Sequence, residues 1–164
     1  QVPSAADLTD RLRRHVRQAV GSGLLFHPAG AVWSYERAYA KLRAWVESSL
    51  DAYRSELSAA LFPIFVRSFL ELVHHGEAEQ AAAFMERYRG DFGTSAPELD
   101  ELAGVRTPAQ VAESPVASQY WTHAFELTMS AYSFELLVSF VQAEQLLPVL
   151  QLLNSDHLDV KIER

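Results

Sequence analysis

Apolar positions recur at helical spacing over most of this chain. From Ala60 to Gly76 the run A-L-F-P-I-F-V-R-S-F-L-E-L-V-H-H-G is apolar nearly all the way round, interrupted before its histidines by Arg67, Ser68 and Glu71. A helix that is apolar on most of its circumference belongs inside a bundle. Pro63 falls in the first turn, where a missing N–H is tolerated. Gly76 follows His74 and His75 as a C-terminal stop would. The stretch is therefore expected to be a central buried helix at about 61–75. Arg67 and Glu71 are four apart and can pair on one face. With His74 or His75 they mark the expected solvent strip of that helix.

Upstream, Leu8, Leu12, Val16 and Val20 fall four apart while Arg11, Arg13, Arg14 and Arg17 occupy other faces, which predicts an amphipathic helix over 7–20. Gly21-Ser22-Gly23 and His27-Pro28-Ala29-Gly30 read as breaks; the first lacks the spacing and Lys-Ser/Thr ending of a phosphate loop. A long helix is expected from Ser34, as cap, to Leu50, with Glu36 in its first turn and Tyr35, Tyr39, Leu42, Trp45, Val46 and Leu50 on its inner stripe. Asp51 opens a short piece over 52–59 in which Tyr53 and Leu57 share a face.

Beyond Gly76, a helix over 77–89 turns Ala78, Ala81, Ala82, Met85 and Tyr88 inward. Gly90-Asp91-Phe92-Gly93 ends it. A loop through Thr94, Ser95 and Pro97 then leads to a short acidic helix over 98–103. Thr107-Pro108 pairs a cap with a first-turn proline and opens a helix to Glu113. The last third changes period: 125–130 and 158–163 alternate in twos, as strands with one buried face do. Helices over 132–144 and 146–153 separate them, and two lone strands are expected to pair with each other. The fold class is thus mainly α: a compact single-domain helical bundle around the central helix, with a small β pairing of 125–130 with 158–163. Residues 1–32 form an N-terminal amphipathic helix and linker, and 33–164 the domain.

Composition narrows what such a bundle can do. The 164 residues, 49% hydrophobic and 21% charged, suit one ordinary domain with a sizeable core. Without cysteine there is neither a disulfide framework nor a thiolate metal site. No apolar run is expected to reach membrane length and no signal-peptide pattern opens the chain, so no membrane partner is expected. Gln1 in place of an initiating Met marks an expected piece of something longer. The net charge of −7 argues against direct nucleic-acid binding, which draws its affinity from Lys and Arg on phosphates. That charge is uneven: residues 1–33 hold four arginines against Asp7 and Asp10, +2, leaving −9 on the remainder. A basic amphipathic helix suits a membrane surface or a partner groove; the simpler reading of 7–20 is a helix packed on its own domain or on a neighbouring chain.

Candidate chemistry is sparse. Glu71, His74, His75, Glu77 and Glu79 cluster in sequence, but H-E-x-x-H is absent, adjacent histidines diverge, and Gly76 interrupts the helix before Glu79. Histidines in a last turn serve free carbonyls and the helix dipole. Asp156-His157-Leu158-Asp159 lacks any nucleophile context, and no duplicated E-x-x-H suggests a di-iron bundle. Tyr120 and Trp121 read as core. No catalytic, cofactor or metal site is expected, and hence no enzyme. The pair 61–75 and 77–89 has the size of a tetratricopeptide hairpin without a second copy, so a generic helical adaptor for a peptide or partner helix is the alternative.

Some residues carry more than amphipathicity requires. Y-E-R-A-Y-A-K-L-R-A-W-V-E-S-S-L-D-A-Y-R-S-E-L (35–57), L-F-P-I-F-V-R-S-F-L-E-L-V (61–73), Ala81 with Phe84, and Asp91-Phe92 resemble the helical N-terminal domain of the WD-repeat TBP-associated factor family of TFIID, a family also found in SAGA-type complexes. Thr107-Pro108, Ser133–Leu137 and His157–Val160 resemble its later landmarks. The resemblance covers roughly 33–163. Arg67 and Gln110 stand where histidines are expected, and the loop after Asp91-Phe92 is shortened. The resemblance implies a non-catalytic nuclear scaffold without cofactors, supporting initiation by RNA polymerase II. It would assemble with other TFIID or SAGA subunits, histone-fold subunits among them, and possible homodimerisation is implied as well. The family's polar signature maps to Asp51, Arg54, Glu56, Arg67 and Glu71 as partner-binding candidates.

Overall fold

A computed structural model describes residues 31–153, 155 and 157–163. The expected amphipathic helix over 7–20 and its linker lie outside the described residues. Helix α1 spans Ala31–Glu47, α2 Asp51–Ala59, α3 Leu61–His74 and α4 Ala78–Tyr88. A 3-10 turn, Arg89–Ser95, leads to α5 (Ala96–Ala103), α6 (Pro108–Glu113) and α7 (Pro115–Thr122). Strand β1 (Phe125–Ser130), α8 (Ala131–Ala143), α9 (Leu147–Leu153) and β2 (Leu158–Glu163) complete the order. The fold is mainly α with one two-stranded sheet.

Helix α3 holds the centre, as its apolar circumference requires: ten of its fourteen residues are buried, Phe65, Phe69 and Leu70 completely. It touches α1, α2, α4, α6, α7 and α9. Its end is a Schellman motif. Gly76 takes φ +82°, its N–H donates to the Val73 carbonyl at 3.0 Å, and the Glu77 N–H donates to that of Leu72 at 3.0 Å. One expectation needs correcting here. By length and composition the run Asp51–His74, 24 residues, could cross a membrane; 67% of its apolar window is buried inside the fold, so core packing accounts for its apolarity.

Helix α1 starts and stops about three residues earlier than expected. Ser34 therefore lies inside the helix rather than capping it, and Glu36 falls beyond the first turn, where it meets Arg87 of α4 at 2.5 Å. At the other end the Ser48 and Ser49 hydroxyls both donate to the Trp45 carbonyl at 2.9 Å, competing with continuation of the helix. Leu50 is thereby released from the inner stripe: its backbone is extended and it is 73% exposed. Tyr39, Leu42 and Val46 are buried as the stripe predicts. In α4 the buried face is Ala81, Phe84, Met85 and Tyr88; Ala78 and Ala82 are only half-buried.

Helix α7 is absent from the sequence reading. Ser114 caps it, accepting from the Ala117 N–H at 3.2 Å, and Pro115 occupies its first position. The strands pair in parallel, from Phe125↔Leu158 to Ser130↔Glu163. Parallel neighbours need a crossover, which α8 and α9 supply. Leu127 and Met129 point inward, while Glu126 and Thr128 face out.

Candidate functional site

The five polar candidates fall into three places. Asp51 and Arg54 sit in the first turn of α2 and pair at 2.9 Å, with Arg54 also donating to the Ser49 carbonyl at 2.8 Å. Both are exposed. Glu56, one turn on and half-buried, accepts from the Ser130 N–H at 3.2 Å and the Ser130 hydroxyl at 2.8 Å. Ser130 ends β1 and caps α8 through the Ser133 N–H, so Glu56 ties α2 to the strand–helix junction. Hydrogen bonds from Ser133 and Ser130 hold its carboxyl below the ordinary range.

Arg67 and Glu71 form the third place, at the junction of α1, α3 and α7. Their pairing is as the spacing predicts: Arg67 Nε and Nη2 lie 3.1 and 3.0 Å from Glu71 Oε1. The expected solvent strip holds at its histidine end, where His74 and His75 are exposed, but the Arg67 and Glu71 side chains are only 15% and 21% exposed, with Trp121 of α7 lying over Arg67. The guanidinium sits 3.9 Å from the centre of the Trp121 ring and donates to the Trp121 carbonyl at 3.1 Å. Tyr35 of α1 donates to Glu71 Oε2 at 3.4 Å. Burial first, and the Glu71 charge second, push the Tyr35 phenol above its ordinary range. Three elements are thus clamped through two charged side chains on α3.

The histidines divide. His75 Nδ1 lies 2.6 Å from the Glu71 carbonyl oxygen, which can only accept, so that nitrogen carries the proton. This is the last-turn role expected of it. His74 packs against Trp121, ring centres 4.9 Å apart. Among the described residues no three His, Asp or Glu side chains converge as metal ligands would. A cleft of about 130 Å³ beside the clamp is lined by Tyr35, Arg67, Ser68, Glu71, Gln151 and His157 among others. The Arg67 nitrogens are already spoken for by Glu71 and Trp121.

The remaining resembling residues have structural reasons as well. Arg43 Nε and Nη2 donate to the two Asp91 oxygens at 2.6 and 3.1 Å, which raises the Arg43 pKa further. Phe92 packs on Phe62 and Phe65, ring centres 5.2 and 5.1 Å away. Phe84 meets Tyr39 edge-on at 5.4 Å. Gln110 completes a capping box with Thr107, each side chain accepting from the other's backbone N–H at 3.2 Å.

Residues 30–157 match the family model described as the WD40 associated region in TFIID subunit, NTD2 domain. The chain belongs to the TFIID-subunit NTD2 family. Among its relatives, Transcription initiation factor TFIID subunit 5 of Encephalitozoon cuniculi is 31% identical over 127 residues, 77% of this chain and 23% of that protein. The SAGA complex/transcription factor TFIID complex subunit Taf5 of Schizosaccharomyces pombe is 38% identical over 110 residues, 66% of this chain and 17% of that protein. The chain therefore spans less than a quarter of the length of these relatives. The crystal structure of the E. cuniculi TAF5 N-terminal domain superposes with a TM-score of 0.75 at 30% identity, covering 79% of this chain and 99% of that one. In this NTD2 domain, Trp121 is the residue that reading by local pattern underrated. The Ser114-Pro115 pair, the same cap-then-proline signal as Thr107-Pro108, could have placed it on a helix.

Proposed function

We propose that this NTD2 domain is a non-catalytic protein–protein interaction scaffold of TFIID that supports transcription initiation by RNA polymerase II in the nucleus. One observation carries the proposal: the family match over 30–157, together with near-complete coverage of a TAF5 N-terminal domain. The polar candidates fit a scaffold. Arg67 and Glu71 hold the domain's own helices, and Asp51 and Arg54 form the outward part of the proposed partner surface, with Glu56 behind them. The proposed partners are other TFIID or SAGA subunits, including histone-fold subunits.

Co-purification of the chain with TFIID histone-fold subunits tests this. A stoichiometric complex on size exclusion, weakened by Asp51→Lys with Arg54→Glu, is expected. Separate elution from every histone-fold subunit would overturn it. Light scattering distinguishes the 18.4 kDa chain from a homodimer of twice that mass.

A further inference from the structure

The two edges of the small sheet are not alike. The Phe125 N–H donates to the His157 carbonyl at 2.8 Å, and with the register Phe125↔Leu158 this fixes the phase of the ladder. In a parallel pair, alternate residues of each strand turn both backbone groups toward the neighbour. Phe125, Leu127 and Met129 of β1 therefore bond to β2, and Asp159 and Lys161 of β2 bond to β1. The outer edge of β1 runs beside α2, where Glu56 takes the Ser130 N–H at 3.2 Å. On β2, Val160 and Ile162 turn their N–H and C=O groups away from β1. Among the described residues no hydrogen bond reaches those groups. The two side chains are already seated on the core. What stays open is backbone, flanked by the exposed side chains of Asp159, Lys161 and Glu163. An unpaired edge of this kind is a template for one more strand.

We propose that the outer edge of β2 receives an extended, basic segment of a partner protein as a third strand. The backbone sets the shape of the occupant, because a helix could not meet the open N–H and C=O groups of Val160 and Ile162. The charges set its chemistry. Asp159 stands directly across the ladder from Glu126, and like charges so placed oppose each other. Lys161 answers Glu126 at 3.3 Å, which leaves Asp159 and Glu163 without an ion pair among the described residues. A third strand with Lys or Arg beside Asp159 and beside Glu163, and an uncharged residue beside Lys161, would meet this row. Its apolar residues would then fall beside Val160 and Ile162. A second copy of this chain fits less well. Residues 34–164 carry −9, so two such edges would approach against their own repulsion.

The capped peptide V-K-V-T-V-K-V has the same sequence in both directions, so it tests the edge whichever way a strand enters. Amide hydrogen exchange of the full chain, followed residue by residue by NMR, is the readout. Without peptide, the Asp159 and Lys161 amides should exchange slowly, being bonded to β1, and those of Val160 and Ile162 fast. With peptide, the Val160 and Ile162 amides should slow by about tenfold or more, and those of α4 should not change. Val160→Pro removes an outward N–H that β1 does not use, a change an edge strand tolerates. It should abolish the peptide's protection of Ile162, while slow exchange at Lys161 shows that the ladder is intact. Asp159→Lys with Glu163→Lys, both at exposed positions, should weaken V-K-V-T-V-K-V about tenfold and admit V-E-V-T-V-E-V instead. No protection by the basic peptide, protection that survives Val160→Pro on an intact ladder, or equal binding of the acidic peptide to the unaltered chain would overturn the proposal. So would protection of Val160 that appears without peptide as the chain is concentrated, which would make a second copy the occupant.

Discussion

Arg67 and Trp121 meet twice: the guanidinium lies 3.9 Å from the indole ring centre, and it donates to the carbonyl of the same residue at 3.1 Å. Side chain and backbone of α7 are thus both bound to one cation on the central helix. Trp121→Ala removes the ring contact, the packing on His74 and the cover over a charged pair. A loss of about 2–3 kcal/mol in urea denaturation is expected. Arg67→Lys keeps the charge but loses the fork that serves Glu71 and Trp121 together, and should cost about 1 kcal/mol. A double-mutant cycle between Arg67→Lys and Trp121→Ala should show coupling of at least ~0.5 kcal/mol; strict additivity would refute the clamp.

Glu56 makes stability depend on acid. Its folded carboxyl titrates below its ordinary value of 4.5, so its contribution is present above that value and is lost as pH falls through the lower, folded one. The urea midpoint of the unaltered chain should drop on going from neutral pH to below that value. Glu56→Gln should lower the midpoint at neutral pH and narrow its gap from the unaltered chain as the solution is acidified. A constant gap across that range would show that the carboxylate charge is not what holds Ser130.

Gly76→Ala isolates a backbone effect. A β-carbon there would meet nothing within 4 Å, yet φ is +82°. The cost is therefore conformational, about 1 kcal/mol, and should appear in the denaturation midpoint with the denaturant slope unchanged. Gly76→Asn should recover part of it, since asparagine tolerates the left-handed region better.

Tyr39→Phe should stabilise the domain or leave it unchanged. The Tyr39 ring packs on Phe65, Phe84 and Tyr88, and its buried hydroxyl has no hydrogen-bond partner among the described residues. Removing an unsatisfied buried hydroxyl relieves a desolvation cost of about 1 kcal/mol. A fall in the thermal midpoint would mean that the hydroxyl does find a partner.

The sequence makes the interior of this fold legible wherever one element's own periodicity decides its orientation. α3 is the clearest case, because its pattern, Pro63 and Gly76 all agree. The strand pairing was equally accessible; its parallel sense was not, although the two helices between the strands supply the crossover that it needs. What escaped was cross-element. The spacing of Arg67 and Glu71 reveals their pairing but not that Trp121 of α7 would lie over Arg67, since a separation of 54 residues leaves no local trace. Leu50 fits the α1 stripe by number; two serine hydroxyls at the end of that helix decide otherwise. Glu56 enters as a partner-binding candidate, and only the arrival of Ser130 gives it an internal task.

The parallel register has a consequence for synthesis. Each residue of β1 meets a partner made thirty-three positions later, Phe125 with Leu158 and Ser130 with Glu163. At ~5–20 residues per second on the ribosome, that edge waits about 2–7 s for its neighbour. During that interval β1 has α2, already made, to pack on, while its open backbone edge is available to any other nascent strand nearby. The outward Glu126 is then a guard as well as a later neighbour of Lys161.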